Sequence, residues 1–260
     1  MGLMHALLAL LSGGLVGFTL GLVGGGGSVL AVPLMVYVVG VRNPHLAIGT
    51  SAFAVAVNAM AGLAGHARAR NVVWRCGMAF AVAGVIGALA GSSLGKAING
   101  QRLLFLFALL MIVVAAVMFR SRNDDGIDGA TCHRENLPRV AGFGFVTGCL
   151  SGFFGIGGGF LIVPALIAAT SMPIYQAIGT SLIGVSAFGL TTAANYAASG
   201  LVDWPLAGTF IVGGLGGTVL GTAASRRLSA HKGQLNVLFA AGIVLVAIYM
   251  LYRSWAALSA

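Results

Sequence analysis

The stretches GFTLGLVGGGGSVLAVP, from Gly17 to Pro33, and GCLSGFFGIGGGFLIVP, from Gly148 to Pro164, share eight identities in seventeen positions without a gap. Each runs from apolar sequence through a glycine cluster into a short apolar segment carrying Val-Pro. A chain that repeats itself in this way is built from two copies of one unit, which dictates its architecture before any helix is assigned. The match extends outward. After a one-residue shift, Ala47-Ile48-Gly49-Thr50-Ser51 lies opposite Ala177-Ile178-Gly179-Thr180-Ser181, and Trp74 opposite Trp204. Gly84, Gly87 and Gly91 then lie opposite Gly214, Gly217 and Gly221.

The solvent around these repeats is read from composition. Hydrophobic residues make up 58% of the 260 and charged residues 7%, against roughly a quarter charged in soluble domains. No water-facing surface can be built from that inventory. A hydrocarbon core about 30 Å thick needs roughly 20 apolar residues in a helix. Apolar segments fall at about 5–23, 28–40, 45–66, 76–95 and 103–119, and again at about 139–154, 159–171, 176–198, 205–225 and 235–252. They are too long and alternate too weakly for barrel strands, and backbone polar groups in lipid must be satisfied internally, which leaves bundled helices. The expected fold is therefore an all-α polytopic membrane protein of two inverted repeats, each a glycine-broken helical hairpin plus three transmembrane helices. The N-terminal repeat spans 1–119, a polar inter-repeat loop 120–138 and the C-terminal repeat 139–260. The loop region, RSRNDDGIDGATCHRENLPR, holds four of the five acidic residues.

A formal charge of +9 would raise nucleic-acid binding in a soluble protein, but here Lys and Arg sit in short inter-helix loops and act as topology signals. If each glycine-rich break is a hairpin returning to its own side, ten cations fall on one side: Arg68, Arg70, Arg75, Arg120, Arg122, Arg134, Arg139, Arg226, Arg227 and Lys232. Four fall on the other: Arg42, Lys96, Arg102 and Arg253. A single crossing at the break would split them eight against six, with no signal. The hairpin arrangement inserts the halves in opposite directions, in a multi-pass cell-membrane protein with both termini outside the cytoplasm. Met1 to Leu11 lacks a basic signal-peptide n-region and reads as a retained first segment. Cys76, Cys132 and Cys149 have no C-x-x-C spacing and read as isolated thiols, with no zinc site.

Inverted repeats with discontinuous helices mark secondary transporters, whose substrate site lies where the broken helices meet. At Gly24, Gly25, Gly26, Gly27 and Ser28, and at Gly155, Ile156, Gly157, Gly158 and Gly159, an unwound backbone leaves free N–H groups at the positive end of the following half-helix. Such a pocket favours an anion. The plainer reading, close helix packing, suits the G-x-x-x-G pairs such as Gly17/Gly21 and Gly87/Gly91. Four successive glycines, each costing about 1 kcal/mol of helix propensity, point to a deliberate break. Thr50, Ser51, Thr180 and Ser181 lie near helix starts, where hydroxyls cap and could also line a site. Asn58 and Asn195 lie inside apolar segments and are either inter-helix hydrogen bonds or substrate ligands. No P-loop occurs, no carboxylate falls within a span, and no nucleophile–base or metal cluster is visible at those depths, so neither an enzyme nor a cofactor is expected.

On the paired glycine segments followed by Val-Pro, the two Ile-Gly-Thr-Ser motifs and LVDW at 201–204, the sequence resembles the sulfite exporter TauE/SafE family of membrane permeases over nearly its whole length. Half two fits best. Half one has Gly25 for the family's usual Ile, Ser28 for the third Gly and Val73 for its Asp. The resemblance implies outward transport of small anions such as sulfite or organosulfonates. An anion channel is the alternative, with a non-transporting subunit of a membrane complex behind it. Oligomeric state and coupling ion are left open. In a cysteine-free background, Asn99→Cys should react with an impermeant maleimide added to intact cells, and Ser121→Cys only after permeabilisation. Equal labelling of both would overturn the ten-to-four topology.

Overall fold

The computed structural model describes residues 3–120, 136–227 and 241–253. No strand occurs among them. The first half comprises α1 (Leu3–Val23), a short composite segment, α3 (Pro44–Arg68), α4 (Trp74–Ala97) and α5 (Gly100–Arg120). The short segment is a 3₁₀ turn, Gly24–Leu30, a single α-helical turn, α2 (Ala31–Pro33), and a π turn, Leu34–Val38. The second half comprises α6 (Leu137–Phe154), α7 (Gly159–Thr170), α8 (Ile174–Ala197), α9 (Trp204–Arg227) and α10 (Ala241–Arg253). Most of the expected inter-repeat loop, with Cys132, lies outside the described residues.

Helix boundaries follow local chemistry. The Asn43 side chain accepts from the His45 N–H at 3.0 Å, and Pro44 occupies the first helical position of α3, where a missing N–H costs nothing. Asp203 does the same for α9, accepting from Leu206 N–H at 3.0 Å. In the first short segment Pro33 has no N–H to give to the turn before it, and the coil is tight ahead of it and wide after it.

Six helices, α1, α3, α4, α6, α8 and α9, are long and apolar enough to cross a membrane. Burial is distributed for lipid: Val82, Ile86 and Val219 are more than 60% exposed, whereas Thr50, Ser51, Asn58, Thr180 and Ser181 are buried. Two apolar clusters fill the interior. One joins α1, α3, α4, α7, α8 and α9. The other joins the buried face of α5 (Leu103, Leu104, Phe107, Met111) and Ile243, Ala247 and Met250 of α10 to Val29, Ile48, Phe154, Ile156, Phe160 and Tyr196.

The most extensive packing runs between halves. α1 lies on α9, and α4 lies on α6. Both seams are glycine-lined: Gly13, Gly17 and Gly21 sit against the carbonyls of Phe210, Gly214 and Thr218, and Gly144, Gly148 and Gly152 against those of Phe80, Gly84 and Ala88. A β-carbon at any of these would enter the facing backbone, so the G-x-x-x-G pairs pack helices. The two rows are repeat equivalents of each other. Reciprocity holds for polar contacts too: Thr50 Oγ1 accepts from Asp203 N–H and Thr180 Oγ1 from Val73 N–H, both at 2.9 Å. These hydroxyls cap the approach to the partner half's helix and not their own helix start.

α3 and α8 cross the centre antiparallel, with Gly49 beside Tyr196, Gly189 beside Ala56, and Gly62 beside Leu182. The midpoint of that crossing falls at Asn58 and Phe188, which are also repeat equivalents. Cys149 is a free thiol, but Cys76 is disulfide-bonded, which corrects the reading of three isolated thiols. Pairing depends on which segments the fold brings together, and cysteine spacing carries no trace of that. Thr50→Val and Thr180→Val should each lower stability by about 1–2 kcal/mol, because each strands a loop N–H. Thermal melts in detergent should show matching decreases in Tm, and no decrease in either would remove the cross-half cap.

Candidate functional site

The second break is built from three left-handed glycines. Gly155, Gly157 and Gly158 have φ of +69°, +65° and +68°, a conformation that costs other residues roughly 1–2 kcal/mol each. The chain leaves α6 with Gly155 and Ile156 N–H both bonded to Ser151 O, at 2.8 and 3.3 Å. It enters α7 with Leu161 and Ile162 N–H bonded to Gly158 O, at 2.9 and 3.0 Å. Between them, the N–H groups of Gly157, Gly158 and Phe160 donate to no described backbone carbonyl, and all three residues are buried. They stand at the N-terminus of a 12-residue helix, where aligned peptide dipoles place about half a positive charge.

The break lies close to the α3–α8 midpoint. A β-carbon on Gly157 would be 3.3 Å from Val55 and 3.3 Å from Val185, two residues that are repeat equivalents. The first break meets it there, since the 3₁₀ turn Gly24–Leu30 packs on α7 and α8. Gly27 folds back on Leu20, as its equivalent Gly158 folds back on Ser151. The halves differ at that point: Gly27 meets the Leu20 backbone and the Thr19 hydroxyl, which donates back to Leu15 O and Val16 O, whereas Ser151 presents a buried hydroxyl with no hydrogen-bond partner, and a β-carbon on Gly158 would lie 2.7 Å from it. Ser151 was not among the candidate residues. The signal for it was the polar-for-apolar difference opposite Leu20 in the two repeats.

The candidates read from sequence separate into three places. Gly25, Gly26, Gly27 and Ser28 lie in the 3₁₀ turn and Gly157, Gly158 and Gly159 at the second break, and these two groups of elements touch. Thr50, Ser51, Thr180 and Ser181 lie toward the ends of the α3–α8 crossing, where the threonines hold loops and the serines bond back to Ile48 O and Ile178 O. Asn58 sits at the midpoint, wholly buried over Gly214, with neither amide atom hydrogen-bonded. Its equivalent, Phe188, fills the notch over Gly84. Asn195 is an inter-helix residue: its Nδ2 donates to Ser92 Oγ and Ser93 Oγ at 2.6 and 3.1 Å. No group of three or more His, Cys, Asp or Glu suited to a metal occurs among the described residues.

Membrane-length helices that turn apolar side chains outward and hydroxyls inward define a multi-pass membrane protein. The chain belongs to the sulfite exporter TauE/SafE family, whose model matches residues 9–250, and is thus one of a family of membrane transporters. It is 54% identical over 257 residues to a probable membrane transporter protein of Xylella fastidiosa strain Temecula1, with 96% of each chain covered. A probable membrane transporter protein of Haemophilus influenzae is 30% identical to it, covering 95% of this chain and 98% of that one. The probable membrane transporter protein YunE of Bacillus subtilis is 26% identical, covering 83% and 87%. No solved structure matches the chain.

Because the Ser151 hydroxyl forms no bond, Ser151→Ala should leave Tm unchanged, whereas Gly158→Ala should lower it through its left-handed φ and its contact with Ser151. A Ser151→Ala variant that melts well below wild type would show the hydroxyl to be structural.

Proposed function

We propose that this protein is a secondary transporter that exports small anions such as sulfite or organosulfonates, by alternating access at a site formed where the two glycine-rich breaks meet. The observation that carries the reading is the set of unclaimed N–H groups of Gly157, Gly158 and Phe160. Buried backbone donors are nearly always paired, and a run of them at a helix N-terminus suits an oxyanion better than any other small ligand. A ligand oxygen would take the N–H groups while the Ser151 hydroxyl supplies a further donor from α6. The absent side chains let the ligand reach the backbone itself.

The reciprocal contacts support the mechanism. We take the halves as inverted repeats, rocking about the α3–α8 crossing so that the breaks open to one side and then the other. In that arrangement the anion need not travel far, because Gly157 already lies between Val55 and Val185. An inside-negative potential favours outward movement of an anion by roughly 2.3 kcal/mol per charge per 100 mV, so export needs no chemical step in the protein.

The test is uptake and counterflow of labelled sulfite in proteoliposomes. Wild type should show saturable flux that an internal load of sulfite accelerates. Gly157→Ala adds one methyl group between the two valines and should cut the maximal rate by about tenfold or more, a barrier of about 1.4 kcal/mol, with the variant still folded and inserted. Saturable flux unaffected by the methyl group would return the glycines to a packing role. Flux without saturation or counterflow would make the protein a channel.

A further inference from the structure

At the end of the bundle where α4 and α8 finish together, Lys96 reaches from the first half into the second. Its Nζ donates to Asn195 O at 3.0 Å, to Asn195 Oδ1 at 2.7 Å and to Ser199 Oγ at 2.9 Å. It also stands 5.9 Å over the Tyr196 ring. Every one of these partners is neutral. Asp203 is the single acidic residue of the chain outside the 120–139 stretch, and it is spent on Leu206 N–H and forms no ion pair with Lys96 among the described residues. A half-buried ammonium with no counter-charge among the described residues is costly and marks functional positions in membrane bundles.

Its surroundings carry unused polar capacity. Tyr196 is wholly buried and its hydroxyl has no partner. The His45 ring is 6.2 Å from the Tyr196 ring, with Nε2 at 3.1 Å from Ile98 O and Nδ1 without a partner. Tyr196 also packs in the apolar cluster that contains Val29 and Ile156. The side-chain oxygens around Lys96 are confined to one half of the repeat. The positions equivalent to Asn195, Ser199 and Ser93 are Gly65, Ala69 and Ala223, while the position equivalent to Lys96 is Arg226. The cation recurs without the residues that would be needed if it served only to staple α4 to α8.

We propose that Lys96 is an oxyanion-recognition residue, forming with Tyr196 a docking site for a small oxyanion at the α4–α8 end of the pathway, with Asn195 holding the ammonium in place. This rests on the anion-transport reading and adds the positive charge that the backbone donors at the breaks lack. Ser199, at the exposed edge, is the acceptor that an arriving oxyanion replaces, and its hydroxyl already lies 3.4 Å from Asn195 O, to which it donates. The ammonium then exchanges one neutral oxygen for an anionic one and gains a charge-assisted bond.

Sulfite flux in proteoliposomes and the sulfite-induced rise in Tm of the purified protein are measured together for four proteins: wild type, Lys96→Gln, Lys96→Arg, and Asn195→Ala combined with Ser199→Ala. Gln keeps polar contact with α8 and removes the charge, Arg keeps the charge, and the double variant removes the side-chain acceptors while leaving Asn195 O. Lys96→Gln should raise KM about tenfold with a smaller change in maximal rate, flatten the salt dependence of KM, and reduce the sulfite-induced Tm rise at a given sulfite concentration. Lys96→Arg should restore all three, and the double variant should keep the salt dependence. Wild-type KM and Tm rise in Lys96→Gln, or loss in the double variant equal to that in Lys96→Gln, would make Lys96 a staple and overturn the proposal. If wild type moves no sulfite, the transport reading fails for that anion and the Tm rise alone decides: a rise dependent on Lys96 upholds the docking site, and no rise overturns it.

Discussion

Glycine seams hold the two halves together, and the other contacts are arranged around them. Lipid gives apolar helices no hydrophobic reason to associate, so their packing depends on how closely backbones approach. Along α1 and α9, and again along α4 and α6, missing side chains let carbonyls of one half rest in the grooves of the other. Each seam joins a helix of the first half to one of the second. With these outer pairs fixed, α3 and α8 are left to cross through the centre, and their loops are caught by Thr50 and Thr180.

Within that reciprocal frame the interior is not symmetric. The second break is an open, left-handed turn ahead of a regular half-helix, while the first is wound into a 3₁₀ turn with α and π coils following it. Ser151 stands where the other half has Leu20, and Asn58 where it has Phe188. Both carry buried polar atoms without partners. A frame that tolerates exchange of its halves thus holds a centre whose polar groups are set by single residues on specific helices, and it is the differences between repeats that locate them.

The helices were legible because a membrane imposes one length and one composition: the apolar segment expected at 76–95 is α4 at Trp74–Ala97, and that at 159–171 is α7 at Gly159–Thr170. The glycine clusters announced breaks for an equally local reason, the poor helix propensity of consecutive glycines. What sequence could not show was pairing at a distance. Thr50 and Thr180 read as caps of their own helices, but their acceptors serve N–H groups more than a hundred residues away. Lys96 read as a topology signal because its partners, Asn195 and Ser199, lie on another helix in the other half. Asn195 was open between two roles until Ser92 and Ser93 were found beside it.

The pairing of α1 with α9 also bears on how the chain is made. α1 leaves the ribosome before the other described helices, and its glycine face has no partner until some two hundred residues more have been synthesised. α4 waits for a shorter time, since α6 follows after a single helix and a loop. Of the two glycine seams, α4–α6 is therefore the one that can close first, and α1 waits in the membrane with its groove unpartnered until α9 arrives to fill it. Assembly of the seams is thereby ordered from the middle of the sequence outward, and α1, made before α4, is locked in place after it.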